Sequence, residues 1–181
     1  MLNNLLIHTC CADCLLNLIN ELEEEGEISS STKLTLLYYN PNIHPRTEYL
    51  ERLNALKKII EGKMIKQEVE LIIPEYKPKE YFESIIGKEK RCIGCWENRI
   101  QHLFNYAQER NFNYVSSTLL SSHYQGTDTI IAIAKKLETK DISLIYPKQE
   151  HEHIKTGGFY KQNFCGCCFS LTERMLEKYR N

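Results

Sequence analysis

The 181-residue sequence has no run of about 18 apolar residues, the length a helix needs to cross a bilayer, so it offers no membrane-spanning helix. Its start, Met1-Leu-Asn-Asn-Leu-Leu-Ile-His8, lacks the basic flank and small-residue cleavage site of a secretory signal. The expectation is a soluble protein of the cytoplasm with no membrane partner. Charge of either sign is also missing in the balance: 23 Lys and Arg stand against 24 Asp and Glu. Whole-chain electrostatics therefore carries no nucleic-acid signal, and RNA binding would need a local patch. Internal repeats and low-complexity linkers are absent too. With 42% hydrophobic residues the chain can bury one ordinary core, and residues 1–181 are expected to form a single domain.

Cysteine, by contrast, is abundant, with eight residues. In a reducing compartment such clusters bind metal or perform redox chemistry more often than they form disulfides. Around them the pattern alternates. Leu5 to Thr9 reads as a strand, and from Cys14 onward Leu15, Leu18, Ile19 and Leu22 recur at helical spacing. Lys33 to Tyr39 reads as a second strand, ended by Asn40-Pro41-Asn42, and Leu50, Leu53, Leu56 and Ile60 mark a helix. Glu70 to Ile73, Phe112 to Thr118 and Ile142 to Tyr146 are further strand candidates; Arg99 to Arg110, Ile130 to Leu137 and Phe169 to Tyr179 are helical. Strands alternating with helices predict an α/β fold, a parallel sheet flanked by helices. Ligands in such sheets collect where strands end and helices begin, which here means the Cys10, Asn40 and Thr118 junctions.

Cys10-Cys11-Ala12-Asp13-Cys14 places three thiols at a helix start, where the helix dipole favours the metal-binding thiolate. Cys92-Ile93-Gly94-Cys95 lets two sulfurs face one metal, but alone it leaves zinc, iron–sulfur and a thiol–disulfide pair open. Cys165-Gly166-Cys167-Cys168 adds three more; a disulfide between Cys165 and Cys167 would close a small, strained and therefore labile loop. So many thiols exceed the four that one cluster or zinc takes, so a second metal, a redox pair or both are expected. Two other classes compete: a zinc-stabilised RNA-binding module and a metal-free thiol–disulfide oxidoreductase. His44 lies in a proline-bounded loop at a strand end, as a site residue or a helix cap, while His8, inside a strand, reads as a core histidine. From Pro45 to Lys66 six basic residues face three acidic ones, and Lys88, Lys90, Arg91 and Arg99 surround the CxxC. Arg46, Lys90 and Arg91 are the candidate phosphate contacts.

His8-Thr-Cys-Cys-Ala-Asp-Cys14, Tyr39-Asn-Pro-Asn-Ile-His-Pro45 with Glu48-Tyr49, Arg91-Cys-Ile-Gly-Cys95, Thr118-Leu-Leu-Ser-Ser122 and Tyr160-Lys-Gln-Asn-Phe-Cys-Gly-Cys167 together resemble the QueH family of epoxyqueuosine reductases. The resemblance implies a HUP-like α/β domain. It also implies a cobalamin-independent oxidoreductase that removes the epoxide oxygen of epoxyqueuosine in a tRNA anticodon stem-loop, fed by an external electron donor. It further implies a 4Fe-4S cluster beside a second, mononuclear iron. By motif the cluster falls to Cys10, Cys11, Cys92 and Cys95, and Cys165 and Cys167 become the redox pair or ligands to the second iron. Cys14 is then the spare ligand. Asp13, where relatives carry Pro, becomes a possible iron ligand, and Cys168, where relatives carry an apolar residue, becomes dispensable. His44, Tyr124 and Tyr160 are the candidate proton donors. Cys92→Ser or Cys95→Ser should accordingly abolish visible thiolate-to-iron absorption of anaerobically purified protein, whereas Cys168→Ser should leave it intact.

Overall fold

The computed structural model describes residues 2–122, 125–149, 151, 152, 154 and 157–177. Five strands form the sheet: β1 (Asn4–His8), β2 (Lys33–Leu37), β3 (Val69–Ile72), β4 (Tyr114–Ser117) and β5 (Ser143–Leu144). Six α-helices accompany them: α1 (Ala12–Glu24), α2 (Arg46–Glu61), α3 (Pro78–Ile85), α4 (Arg91–Arg110), α5 (Thr127–Lys135) and α6 (Cys168–Glu177). All strand pairs are parallel, in the order β3-β2-β1-β4-β5. The predicted α/β architecture is the observed one, and among the described residues no helix is long and apolar enough to cross a membrane.

The sheet is covered on both faces, which is why its strands read as continuous apolar runs. Side chains alternate in direction along each strand, so Leu5 and Ile7 join Leu34 and Leu36 on one side. There they meet Leu15, Leu18 and Leu22 of α1 and Leu53, Leu56 and Ile59 of α2. Leu6, Leu37 and Val115 face the other way, against Ile100, Leu103 and Phe104 of α4 and Ile130 of α5. The strand order reverses between β1 and β4, so the crevice beyond their carboxyl ends is the switch point where such sheets bind ligands.

Two elements depart from the sequence reading. The helix expected at Arg99 begins at Arg91, because Gly94 and Asn98 lower the local helix propensity while tertiary packing holds the turn in place. The CxxC therefore lies within the first two turns of α4. Helix α3 was not anticipated: it is eight residues long, opens with Pro78 at its first turn and buries Tyr81 alone, too little for a periodic signal. The strands are also shorter than the apolar runs. β5 in particular pairs only two residues, and β2 ends at Leu37, with the Tyr38 N–H making a last bond to the Ile72 carbonyl at 2.9 Å.

Gly94 is what allows α3 and α4 to cross. A Cβ built there would lie 2.1 Å from the Ser84 carbonyl oxygen, a backbone atom that cannot swing aside. Gly94→Ala is expected to force the two helices apart and cost about 1–3 kcal/mol of folding stability, measurable by urea unfolding.

Candidate metal centre

At the end of β1 the chain turns into α1 through Cys10 and Cys11. Cys11 is the N-cap residue of that helix. The sulfurs of Cys10, Cys11 and Cys14 all lie within 4.8 Å of one another, and those of Cys10 and Cys11 are 3.8 Å apart. Just past the end of β4, the Thr118 hydroxyl accepts from the Cys10 N–H at 3.0 Å and donates to its sulfur at 3.2 Å. The S–H groups of Cys11 and Cys14 and this hydroxyl hold the Cys10 thiol well below its usual range, while Cys14 is pushed up. The three sulfurs thus form one buried, mutually hydrogen-bonded group.

Four further thiols, Cys92, Cys95, Cys165 and Cys167, line a cavity of 200 Å³ between the start of α4 and the loop before α6. The Cys165 and Cys167 sulfurs are 3.6 Å apart with no disulfide between them; the hydrogen bond they share lowers Cys165 to about 5 and raises Cys167. Burial pushes Cys95 up to about 11 against the opposing pull of Arg99. Tyr81, Trp96 and Gln125 complete the wall, with the Trp96 indole N–H donating to the Gln125 side-chain oxygen at 2.6 Å. Larger clefts, of 470 and 480 Å³, lie beside Lys136 and beside Phe112 and contain no cysteine.

The loop between Phe164 and Cys167 is anchored by a buried ion pair. Arg52, 2% exposed, binds the Glu48 carboxylate at 2.6 Å through Nε, and its two terminal nitrogens donate to the carbonyls of Cys165 and Phe164 at 3.3 and 3.2 Å. A Cβ on Gly166, which has φ +113°, would press on the same guanidinium at 3.1 Å, so only glycine fits both the turn and the approach. The His44 N–H donates to the Gly166 carbonyl at 2.8 Å, which joins the loop after β2 to the same turn.

The other sequence candidates fall as follows. The His44 ring packs on Tyr81 and Phe82, and neither nitrogen has a partner in hydrogen-bonding geometry. Desolvation lowers it, with only a weak opposing pull from the Pro41 carbonyl. His8 is the core histidine expected: fully buried, it meets Ser117 Oγ at 2.9 Å and the Tyr39 carbonyl at 3.0 Å, and burial lowers it to about 4, so it is neutral. Asp13 is bound by Lys161 at 2.9 Å, and Tyr160 donates to Glu48 at 2.6 Å. Arg46 and Lys90 are exposed; Arg91, also exposed, pairs with Glu173 at 2.7 Å and lies over the Phe169 ring. Cys168 opens α6, and Tyr124 and Tyr179 lie outside the described residues.

The sequence reading missed Tyr81 and Arg52 as site residues and took Arg99 only as part of the basic group around the CxxC, whereas it is buried. Arg52 follows Glu48 by four positions on the predicted helix, a spacing that stacks side chains on one face; Arg99 follows Cys95 by four as well, but Cys95 lay outside the helix expected from Arg99. Tyr81 rode on the short helix that gave no signal.

Fold and site together define a doubly wound α/β protein whose ligand-binding edge carries a thiol set able to bind metal. Its sequence matches the family described as epoxyqueuosine reductase QueH over residues 5–173, and the chain belongs to that family. Similar curated proteins bear the same name. One from Dehalococcoides mccartyi is 32% identical over 96% of both chains. One from Thermotoga maritima is 29% identical over 96% of this chain and 93% of its own, and one from Histophilus somni 28% over 94% and 73%.

Removing the Arg52 charge leaves Glu48 buried without its cation, and Arg52→Met should cost about 3–5 kcal/mol. Mass-spectrometric mapping should then find Cys165 and Cys167 alkylated faster than in the wild type, with Cys10 little changed.

Proposed function

We propose that this protein is an epoxyqueuosine reductase that works on the modified base within a tRNA anticodon stem-loop. The reaction takes two electrons and two protons, releases the epoxide oxygen as water and leaves a carbon–carbon double bond in the ring. What carries this reading is the gathering of unpaired thiols at the sheet's switch-point edge, in a chain that matches the family from residue 5 to 173.

The donor set fits soft metal chemistry: every cysteine is free, and three sulfurs already converge within 4.8 Å. Cys10, Cys11, Cys92 and Cys95 would hold a 4Fe-4S cluster, and Cys165 and Cys167, with Cys14 and Asp13 in reserve, would serve as the redox pair or hold a second iron. When bound, these centres supply electrons one at a time and a Lewis acid for the oxygen. The chain's own residues provide the rest. Burial is the main cause that raises Tyr81, so the cavity wall holds a proton at Tyr81 Oη, and Cys167, raised mainly by its bond to Cys165, holds one only where the two act as the redox pair. His44, packed on Tyr81, adds an imidazole to the same wall. Arg46, Lys90 and Arg91, all exposed, would bind backbone phosphates while the base enters. An external donor in the cytoplasm supplies the electrons, and turnover needs no cobalamin.

Anaerobically purified protein should contain about four to five iron atoms per chain, and with a strong reductant should convert an epoxyqueuosine stem-loop to a product one oxygen lighter by mass spectrometry. Stoichiometric zinc with no conversion would refute the proposal. Stem-loop binding should weaken with a slope of about −0.7 in log K against log salt for each phosphate neutralised. Neutralising Arg46 or Lys90 should raise KM more than it lowers kcat, whereas Cys165→Ala and Cys167→Ala should remove turnover and spare affinity.

A further inference from the structure

Of the two arginines buried at the site, Arg52 has a carboxylate partner and Arg99 has none among the described residues. Arg99 is 2% exposed and lines the thiol cavity. Its Nε donates to the Cys95 carbonyl at 3.2 Å and its Nη2 to the Cys95 sulfur at 3.3 Å. Among the described residues no carboxylate lies within ion-pair distance of it; Glu173, the carboxylate on the same cavity wall, is bound to Arg91. Across the site, His8 is a neutral imidazole and offers no negative charge.

An arginine keeps its charge at any physiological pH, and an unpaired buried cation is strongly unfavourable. A fold that retains one needs an anion beside it. The groups that face Arg99 from α4 and from the loop before α6 are Cys92, Cys95 and Cys165, and its charge favours the thiolate form of each. These sulfurs become formally anionic when they bind metal.

We propose that Arg99 is the buried counter-charge of the thiolate-bound centre, a positioning residue that holds the Cys95 sulfur by an N–H···S bond and stabilises the more negative, reduced state. The inference rests on the iron–sulfur reading above. Hydrogen bonds to ligand sulfurs and nearby positive charge both raise a cluster's potential. Because Arg99 is buried, salt should screen the effect little.

The test compares wild-type protein with Arg99→Gln and Arg99→Lys, each loaded anaerobically with iron and sulfide and titrated with mediator dyes under visible absorption. Iron content and far-UV circular dichroism are measured alongside. Arg99→Gln should make reduction at least tenfold less favourable, a shift of about 59 mV to more negative potential for one electron. Arg99→Lys should recover most of that shift, and the difference should persist in high salt. An Arg99→Gln protein that keeps its iron and titrates like the wild type overturns the proposal. Should Arg99→Gln lose its iron, Arg99→Lys decides: iron retained near the wild-type potential supports the counter-charge role, and iron lost or potential displaced in both overturns it. A wild-type protein with no redox-active iron defeats the underlying reading itself, before any variant is compared.

Discussion

Between Leu144, the last residue of the sheet, and Cys168, the first of α6, the described residues form no helix or strand. The thiols of Cys165 and Cys167 are therefore positioned by polar ties rather than by a ladder or a helical register, and the Arg52 guanidinium is central to them. Its planar fork reaches two consecutive carbonyls while its Nε stays on Glu48, a geometry that lysine cannot reproduce. Glu48 in turn accepts from Tyr160, earlier on the same loop, so one carboxylate and one guanidinium on α2 grip the segment at two points. Lys161 on Asp13 and the Ile154 N–H on the Asn17 side-chain oxygen extend the same tethering along α1. Buried pairs of this kind contribute little net stability, and their value lies in fixing one arrangement.

Much of this was legible in the residues. Alternating apolar runs and helical spacings located all five strands and most helices, because β1 and β2 are buried on both faces and α1, α4 and α5 each present one apolar stripe. The junctions after β1 and β4 could be named as the ligand edge because parallel topology dictates it. What stayed hidden has physical reasons. Helix α3 is held by tertiary contact through one buried tyrosine, and the first two turns of α4 carry a glycine and an asparagine that mask their helicity. Ion pairs such as Arg52 with Glu48 look from sequence like any solvated i, i+4 pair until burial is known. The side of the site contributed by Tyr81 and Arg99 therefore appeared only in three dimensions.

The two buried arginines also show how similar residues acquire different work from their surroundings. Arg52 is neutralised by Glu48 and spends its remaining donors on backbone oxygens, so its role is architectural. Arg99 spends its donors on one cysteine, at both its carbonyl and its sulfur, and so couples the helical backbone of α4 to the electronic state of that sulfur. Because Cys92 sits on the first turn of that helix and Cys95 just after it, the dipole of α4 adds to the same field.

The thiols come from three stretches far apart in the chain, around residues 10–14, 92–95 and 165–168. An extended polypeptide presents them only as separate pairs and triplets, each competent to capture metal on its own terms. During synthesis the first trio emerges long before the CGC loop exists, so the complete site cannot form until residue 167 has been made and the loop has closed over the sheet. Any metal that the site takes would meet its full set of sulfurs only after that closure.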